Sequence, residues 1–163
     1  DDASGGVFTT GRDAEALIAR QKDFQDNATP SANSAAALAL LRLAALTGEP
    51  RYLDAVEDIL RLFAPLAGRY PNAFAHLLGA LDLAVDGPTE IVVAGDRPDL
   101  VRLAAEWFVP NAVLAWGEPY ESPLWEGRSV EAAYVCRSYS CRLPATTVEE
   151  LGTQLDALTP RPT

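Results

Sequence analysis

Histidine occurs once, cysteine twice and methionine not at all in the 163 residues. One imidazole, His76, cannot define a Ser-His-Asp order. A structural zinc site takes four His or Cys ligands, and this chain has one His and two Cys. Two cysteines are also too few for a disulfide framework, so a reducing, cytoplasmic setting is expected. Basic residues are scarce: 13 Lys and Arg stand against 23 Asp and Glu, a net charge of -10. Phosphate backbones and anionic membranes are themselves negative, so neither a nucleic acid nor a membrane surface is an expected partner. A helix needs about 20 apolar residues to cross a bilayer, and no run here reaches that length. The start, DDASGGVFTTGRD, has neither a basic head nor a long apolar region, so it does not read as a signal peptide. Without an initiator methionine, the chain is expected to begin at a cleavage or a segment boundary.

What is present is concentrated in residues 20–48, RQKDFQDNATPSANSAAALALLRLAALTG. A polar lead-in with a Pro-Ser-x-Asn turn feeds a helix that is apolar on nearly every side, with Arg42 as the only charge between Ala35 and Leu46. A helix apolar all round must be enclosed by other elements. Few later helices are available to enclose it, so the chain reads as part of a larger protein.

Around that stretch the first half is helical. Residues 13–22 form a short helix by pattern. Asn33 or Ser34 is placed to cap the apolar helix, and Thr47-Gly48 to stop it. Pro50 opens a second helix. There Tyr52, Leu53, Val56, Ile59, Leu60 and Phe63 share one side, while Arg51, Asp54, Glu57, Asp58 and Arg61 take the other. A third helix begins near Pro71 with Phe74, Leu77, Leu78, Leu81 and Val85 on one face. Short connections imply antiparallel hairpins. The period changes at Asp86-Gly87-Pro88. Residues 89–94 (TEIVVA) read as a buried strand. A helix capped by Asp96 follows, and then a second strand at 111–116. Strand, helix, strand predicts a parallel crossover. Residues 117–127 are loop, 130–136 a third strand, and 146–158 a final helix with the capping box Thr146-Thr147-Val148-Glu149. The expected architecture is α+β with an α/β portion. A helical segment, residues 1–87, precedes a small module, residues 88–163, with a mainly parallel three-stranded sheet.

Few residues carry chemistry. Cys136 and Cys141 sit in C-x4-C spacing, not the C-x-x-C of dithiol oxidoreductases. On an unbroken strand they would face opposite ways, so they read as two packed or idle thiols unless a turn at Arg137-Ser138 joins them. His76 reads as a surface histidine, or as a general acid or base if its side lines a cavity. Asp26 lies beside Asn27, Ser31 and Asn33 at the start of the apolar helix, where free N–H groups suit hydroxyls or an anion. Asp26, Ser31 and Asn33 are therefore the candidate substrate-binding residues, and Asp26 and His76 the catalytic candidates; simple capping explains Ser31 and Asn33 equally well. Glu118, Glu121 and Glu126 read as solvated charges. Gly95-Asp96-Arg97-Pro98 is a strand-to-helix turn without G-x-G-x-x-G, so no cofactor is expected, and no metal. Trp125-Glu126-Gly127-Arg128 is placed to cover a pocket.

The run RxKxxxDxAxPSxNSxAA, then LLRLAALTG, EIVVAG, PN-x-VL and AYVC-x4-C-x-x-P resembles one family in order over nearly the whole chain. It rests on Arg20, Lys22, Asp26, Pro30, Ser31, Asn33, Ser34, residues 91–95, Pro110, Asn111, Tyr134, Val135, Cys136, Cys141 and Pro144. This is the C-terminal part of the thioredoxin-domain-containing, spermatogenesis-associated type of protein. The resemblance implies a much longer chain, with an N-terminal thioredoxin-like domain and an α/α toroid similar to those of sugar epimerases and six-hairpin glycosidases. It implies that the apolar helix is an inner stave, with Asp26, Ser31 and Asn33 at a cavity rim and His76 facing the lumen. Two functions follow as expectations: a contribution to a carbohydrate-binding or sugar-isomerising site, or a non-catalytic scaffold for the thioredoxin-like domain or another protein. The expected partners are the remainder of a longer chain, a sugar-like small molecule, and a second copy meeting through exposed apolar helix faces.

Overall fold

The computed structural model describes residues 4–11, 13–14 and 18–158. Its elements run α1 (Ala32–Thr47), α2 (Pro50–Arg69), a 3-10 turn (Pro71–Ala73), α3 (Ala75–Asp86), β1 (Thr89–Val93), α4 (Pro98–Glu106), β2 (Ala112–Trp116), a second 3-10 turn (Pro123–Trp125), β3 (Ala133–Arg137), β4 (Ser140–Cys141) and α5 (Val148–Asp156). They fall into two compact units, residues 1–44 with 49–86, and residues 45–48 with 87–163.

The helical unit is built from heptad-like spacing. Val56, Ile59, Phe63 and Ala67 of α2 meet Ala37 and Leu41 of α1 and Leu77, Ala80 and Leu83 of α3 in one core. Phe24, in the irregular segment before α1, stacks on Phe63 (5.9 Å) and Phe74 (6.4 Å). Of the expected helix at 13–22, residues 15–17 lie outside the described ones. Residues 13–14 and 18–22 are turn, bend or irregular chain. The second part lies against a distant segment instead: Thr9 N–H donates to the Gln21 carbonyl at 2.9 Å, and the Lys22 side chain donates through Nζ to the Gly5 carbonyl at 2.6 Å.

Two details of the helices differ from expectation. The residue capping α1 is Ser31, whose Oγ accepts from Ser34 N–H (3.1 Å), rather than Asn33 or Ser34. The buried face of α3 rotates to Leu77, Ala80 and Leu83, and leaves Val85 81% exposed. The 3-10 turn at Pro71–Ala73 resets the phase before α3 begins. In line with the shortage of later helices, α1 is not fully enclosed: Ala35, Ala39 and Leu43, spaced by one turn, are exposed.

In the second unit the sheet is four-stranded and mixed, in the order β2-β1-β3-β4. β1 and β2 are parallel, with α4 as crossover, as the sequence pattern predicts. β3 runs antiparallel to β1, which corrects the mainly parallel three-stranded sheet. The reason is the course of residues 117–132. That segment re-enters beside the C-terminal end of β1, where Ala94 N–H donates to the Ala132 carbonyl at 3.0 Å. A parallel β3 would instead require a return to the start of β1.

Alternation divides the sheet. Ile91, Val93, Ala133 and Val135 face α4 and α5, against Leu100, Ala104, Leu151 and Leu155. Val92, Tyr134 and Cys136 face the other way, against Leu124 of the second 3-10 turn. Two further caps differ. Arg97 rather than Asp96 precedes α4, and α5 is capped by Thr147 with Glu150 at the third position, one residue later than expected. Arg97 is instead held by a bidentate pair with Asp99 (3.0 and 2.8 Å).

Candidate functional site

The polar lead-in to α1 folds into a knot of four side chains. Asp26 bridges two helix starts. Its Oδ1 accepts from Ser31 N–H at 2.8 Å, and its Oδ2 accepts from His76 N–H at 2.8 Å and Leu77 N–H at 3.3 Å. The N–H groups of His76 and Leu77 belong to the first turn of α3, which has no intrahelical partner for them. Burial pushes the Asp26 carboxyl up, but hydrogen bonds from Ser31, Ser34, His76 and Leu77 outweigh it and hold it below the usual carboxylate range.

Ser31 and Asn33 are 0% and 1% exposed. Ser31 Oγ donates to Ser34 Oγ at 2.8 Å. Asn33 Oδ1 accepts from Val7 N–H at 2.7 Å, while its Nδ2 donates to the carbonyls of Val7 (3.0 Å) and Asp23 (2.6 Å). Both amide protons are thus engaged with backbone. Gly6 allows the approach: its φ is +72°, and a Cβ there would stand 2.9 Å from Asn33 Oδ1. His76 joins the knot through its backbone N–H, and its side chain is half-buried.

A second constellation occupies the loop-covered face of the sheet. β3 and β4 form a hairpin whose turn residues, Ser138 and Tyr139, have φ of +49° and +60°. That turn makes Cys136 and Cys141 register partners, and they are disulfide-bonded. Of the two readings the sequence leaves open, idle thiols on an unbroken strand and a turn that joins them, the second holds: the strand is broken after Arg137, so residues five apart face each other. Cys136 is 3% exposed, while Cys141 is partly exposed. Arg128 Nη2 lies 2.7 Å from Cys141 Sγ and 3.7 Å from Cys136 Sγ. Its guanidinium stands over the Tyr134 ring at 5.1 Å, and its Nη1 donates to the Glu126 carbonyl at 2.9 Å.

Glu90 completes the group. It is 1% exposed and pairs with Cys136 across β1 and β3. Its Oε2 accepts from Tyr139 N–H at 3.2 Å. Burial pushes its carboxyl up, opposed by the N–H groups of Tyr139 and Ser138 and by the charges of Arg128 and Arg137. Sequence reasoning missed Glu90 and the role of Arg128. The available signal was the lone acid in an otherwise apolar strand, since a fully buried carboxyl requires partners. The segment 122–128 covers this face rather than an open pocket: Ser122 Oγ donates to the Leu46 carbonyl (2.6 Å), and Leu124 is 0% exposed.

Among the described residues no group of three or more His, Cys, Asp or Glu is placed to hold a metal ion, and no helix is long and apolar enough to cross a membrane.

No family model matches the chain, and no solved structure matches it. It is similar to spermatogenesis-associated protein 20 of Homo sapiens, with 33% identity over 168 residues that cover 93% of this chain and 21% of that protein. The proteins of the same name from Rattus norvegicus and Mus musculus are each 30% identical over the same shares. The chain therefore spans about a fifth of the length of the curated relatives it matches.

Proposed function

We propose, from the premise that this chain belongs to the family of spermatogenesis-associated protein 20, that it is the C-terminal portion of a longer protein. In that protein the Asp26–Ser31–Asn33 knot positions helices rather than touching a ligand. The observation that carries this reading is Asn33. It is 1% exposed, and each polar atom of its side chain is bonded to backbone of this same chain. A ligand-contacting amide needs an accessible donor or acceptor. The uncovered apolar stripe of α1 supports the same assignment, because neighbouring helices of a longer chain would cover it.

The finer reading is a sugar-like ligand held in a helical toroid, and it is an analogy of fold. Of the four candidate residues, Ser31 and Asn33 are buried, whereas Asp26 and His76 are half-buried and accessible enough to reach such a ligand. The two readings separate on Asn33→Asp. A carboxylate there cannot donate to the Val7 and Asp23 carbonyls and places a charge in a buried site. The positioning reading expects a loss of at least about 1–3 kcal/mol in denaturant unfolding. It also expects no change in any thermal shift given by monosaccharides. An unaltered unfolding midpoint, combined with loss of a saturable sugar shift, would establish ligand contact and reject the positioning role.

A further inference from the structure

We propose that Cys136–Cys141 is a reversible dithiol–disulfide couple, opened at Cys141 by a dithiol reductant, with Arg128 as the residue that positions and stabilises the Cys141 thiolate. Three placements argue for it. The hairpin leaves Cys141 partly exposed and buries Cys136, so attack is directed to Cys141. A guanidinium is held against the sulfurs before any charge exists there. Its holders are the Tyr134 ring and the Glu126 carbonyl, and its Nε is buried without a hydrogen-bond partner. A disulfide sulfur is a weak acceptor, so Arg128 gains little from the oxidised pair. A thiolate formed at Cys141 beside that guanidinium accepts a charge-assisted bond from it, and a neighbouring cation lowers a thiol pKa. Third, Glu90 shares the strand register and the sheet face of Cys136, the sulfur that would leave.

The steps balance as follows. One thiolate of the reductant bonds to Cys141 Sγ, the Sγ–Sγ bond breaks, and the electron pair leaves on Cys136 Sγ, which takes a proton from water. The second thiolate of the reductant then attacks its partner sulfur in the mixed disulfide and expels Cys141 Sγ as a thiolate beside Arg128. The protein disulfide gains two electrons, and the dithiol leaves as a cyclic disulfide.

The test is a redox titration of the folded chain in mixtures of reduced and oxidised dithiothreitol. The reaction is quenched with acid, free thiols are tagged with maleimide and the protein is weighed. Wild type should interconvert reversibly without denaturant. In the reduced protein a limiting alkylating agent should label Cys141 before Cys136. Arg128→Gln should move the equilibrium at least tenfold toward the disulfide, about 30 mV for a two-electron couple, and slow alkylation of Cys141. Arg128→Lys should recover part of both effects, which a purely structural role would not produce. Should Arg128→Gln fail to fold, the order of labelling in wild type decides. Resistance to excess dithiothreitol, labelling of Cys136 first, or an unchanged equilibrium in folded Arg128→Gln would each overturn the proposal.

Discussion

Asp26 shows how one carboxylate can serve two helices. Its oxygens are shared between the start of α1 and the first turn of α3, across a sequence separation of 50 residues. Its local neighbours, Asn27, Ser31 and Asn33, mark it in the sequence. Its partner on α3 could not be read there, because long-range capping leaves no fixed spacing. The consequence is a pH dependence with a definite sign. The folded carboxyl titrates below its ordinary value of 3.8. Its stabilisation is therefore fully present above that value and is lost as pH falls through the lower, folded value. Thermal melts taken downward from about pH 5 should show Asp26→Asn, whose amide would point an N–H at the donors of His76 and Leu77, destabilised at the upper end. Wild type should approach the variant as the acid end is reached. A constant gap across the range would place that acid sensitivity elsewhere.

Among the elements, strands and helices with strong periodicity were legible, and the capping residues of α1, α4 and α5 were not. α2 follows its stripe of Val56, Ile59 and Phe63, and β1 its β-branched run. The β3–β4 hairpin was legible only as an alternative turn at Arg137-Ser138, because its turn is Ser138-Tyr139, whereas two residues with φ > 0 usually signal themselves as Asn-Gly or Asp-Gly. The antiparallel course of β3 depends on where a long loop re-enters, which no residue pattern encodes. The end of α1 was legible, since Gly48 follows Thr47 with φ of +73°. That position is also crowded: a Cβ would stand 2.6 Å from Pro123 Cδ. Gly48→Ala should therefore lower stability by at least about 1–2 kcal/mol from the backbone alone. Gly68, inside α2 with nothing within 4 Å of an added Cβ, is the control. Gly68→Ala should be neutral or stabilising by up to about 1 kcal/mol. Urea unfolding of both variants checks the pair, and equal effects would contradict the assignment of Gly48.

For the whole molecule the decisive feature is apolar surface without cover in the helical unit. Single exposed leucines mean little, but grouped ones mark an interaction face. On α2, Leu53 (52% exposed) lies on one flank of the buried stripe and Leu62 and Leu66 (37% and 40%) on the other, and Leu43 of α1 is 39% exposed. A groove of about 530 Å³ runs along Leu41, Leu53, Val56, Leu60, Ala64 and Ala84 of the three helices, with Glu57 and Arg61 beside it. The sequence pattern of α1 demanded enclosure, and this chain does not supply it. The chain spans about a fifth of its relatives' length, and the rest of a longer protein is the occupant we propose for that face. Without them, a second copy is the available apolar surface. Sedimentation of the chain over increasing concentration should show self-association, and Leu43→Arg with Leu62→Arg should suppress it while leaving the α2 core residues Ile59 and Phe63 in place. The longer protein should sediment with no change from the same two substitutions only if its own helices leave these positions open. Loss of its stability would instead show that they are buried there. A chain that stays monomeric at every concentration would remove the argument that α1 and α2 await a partner.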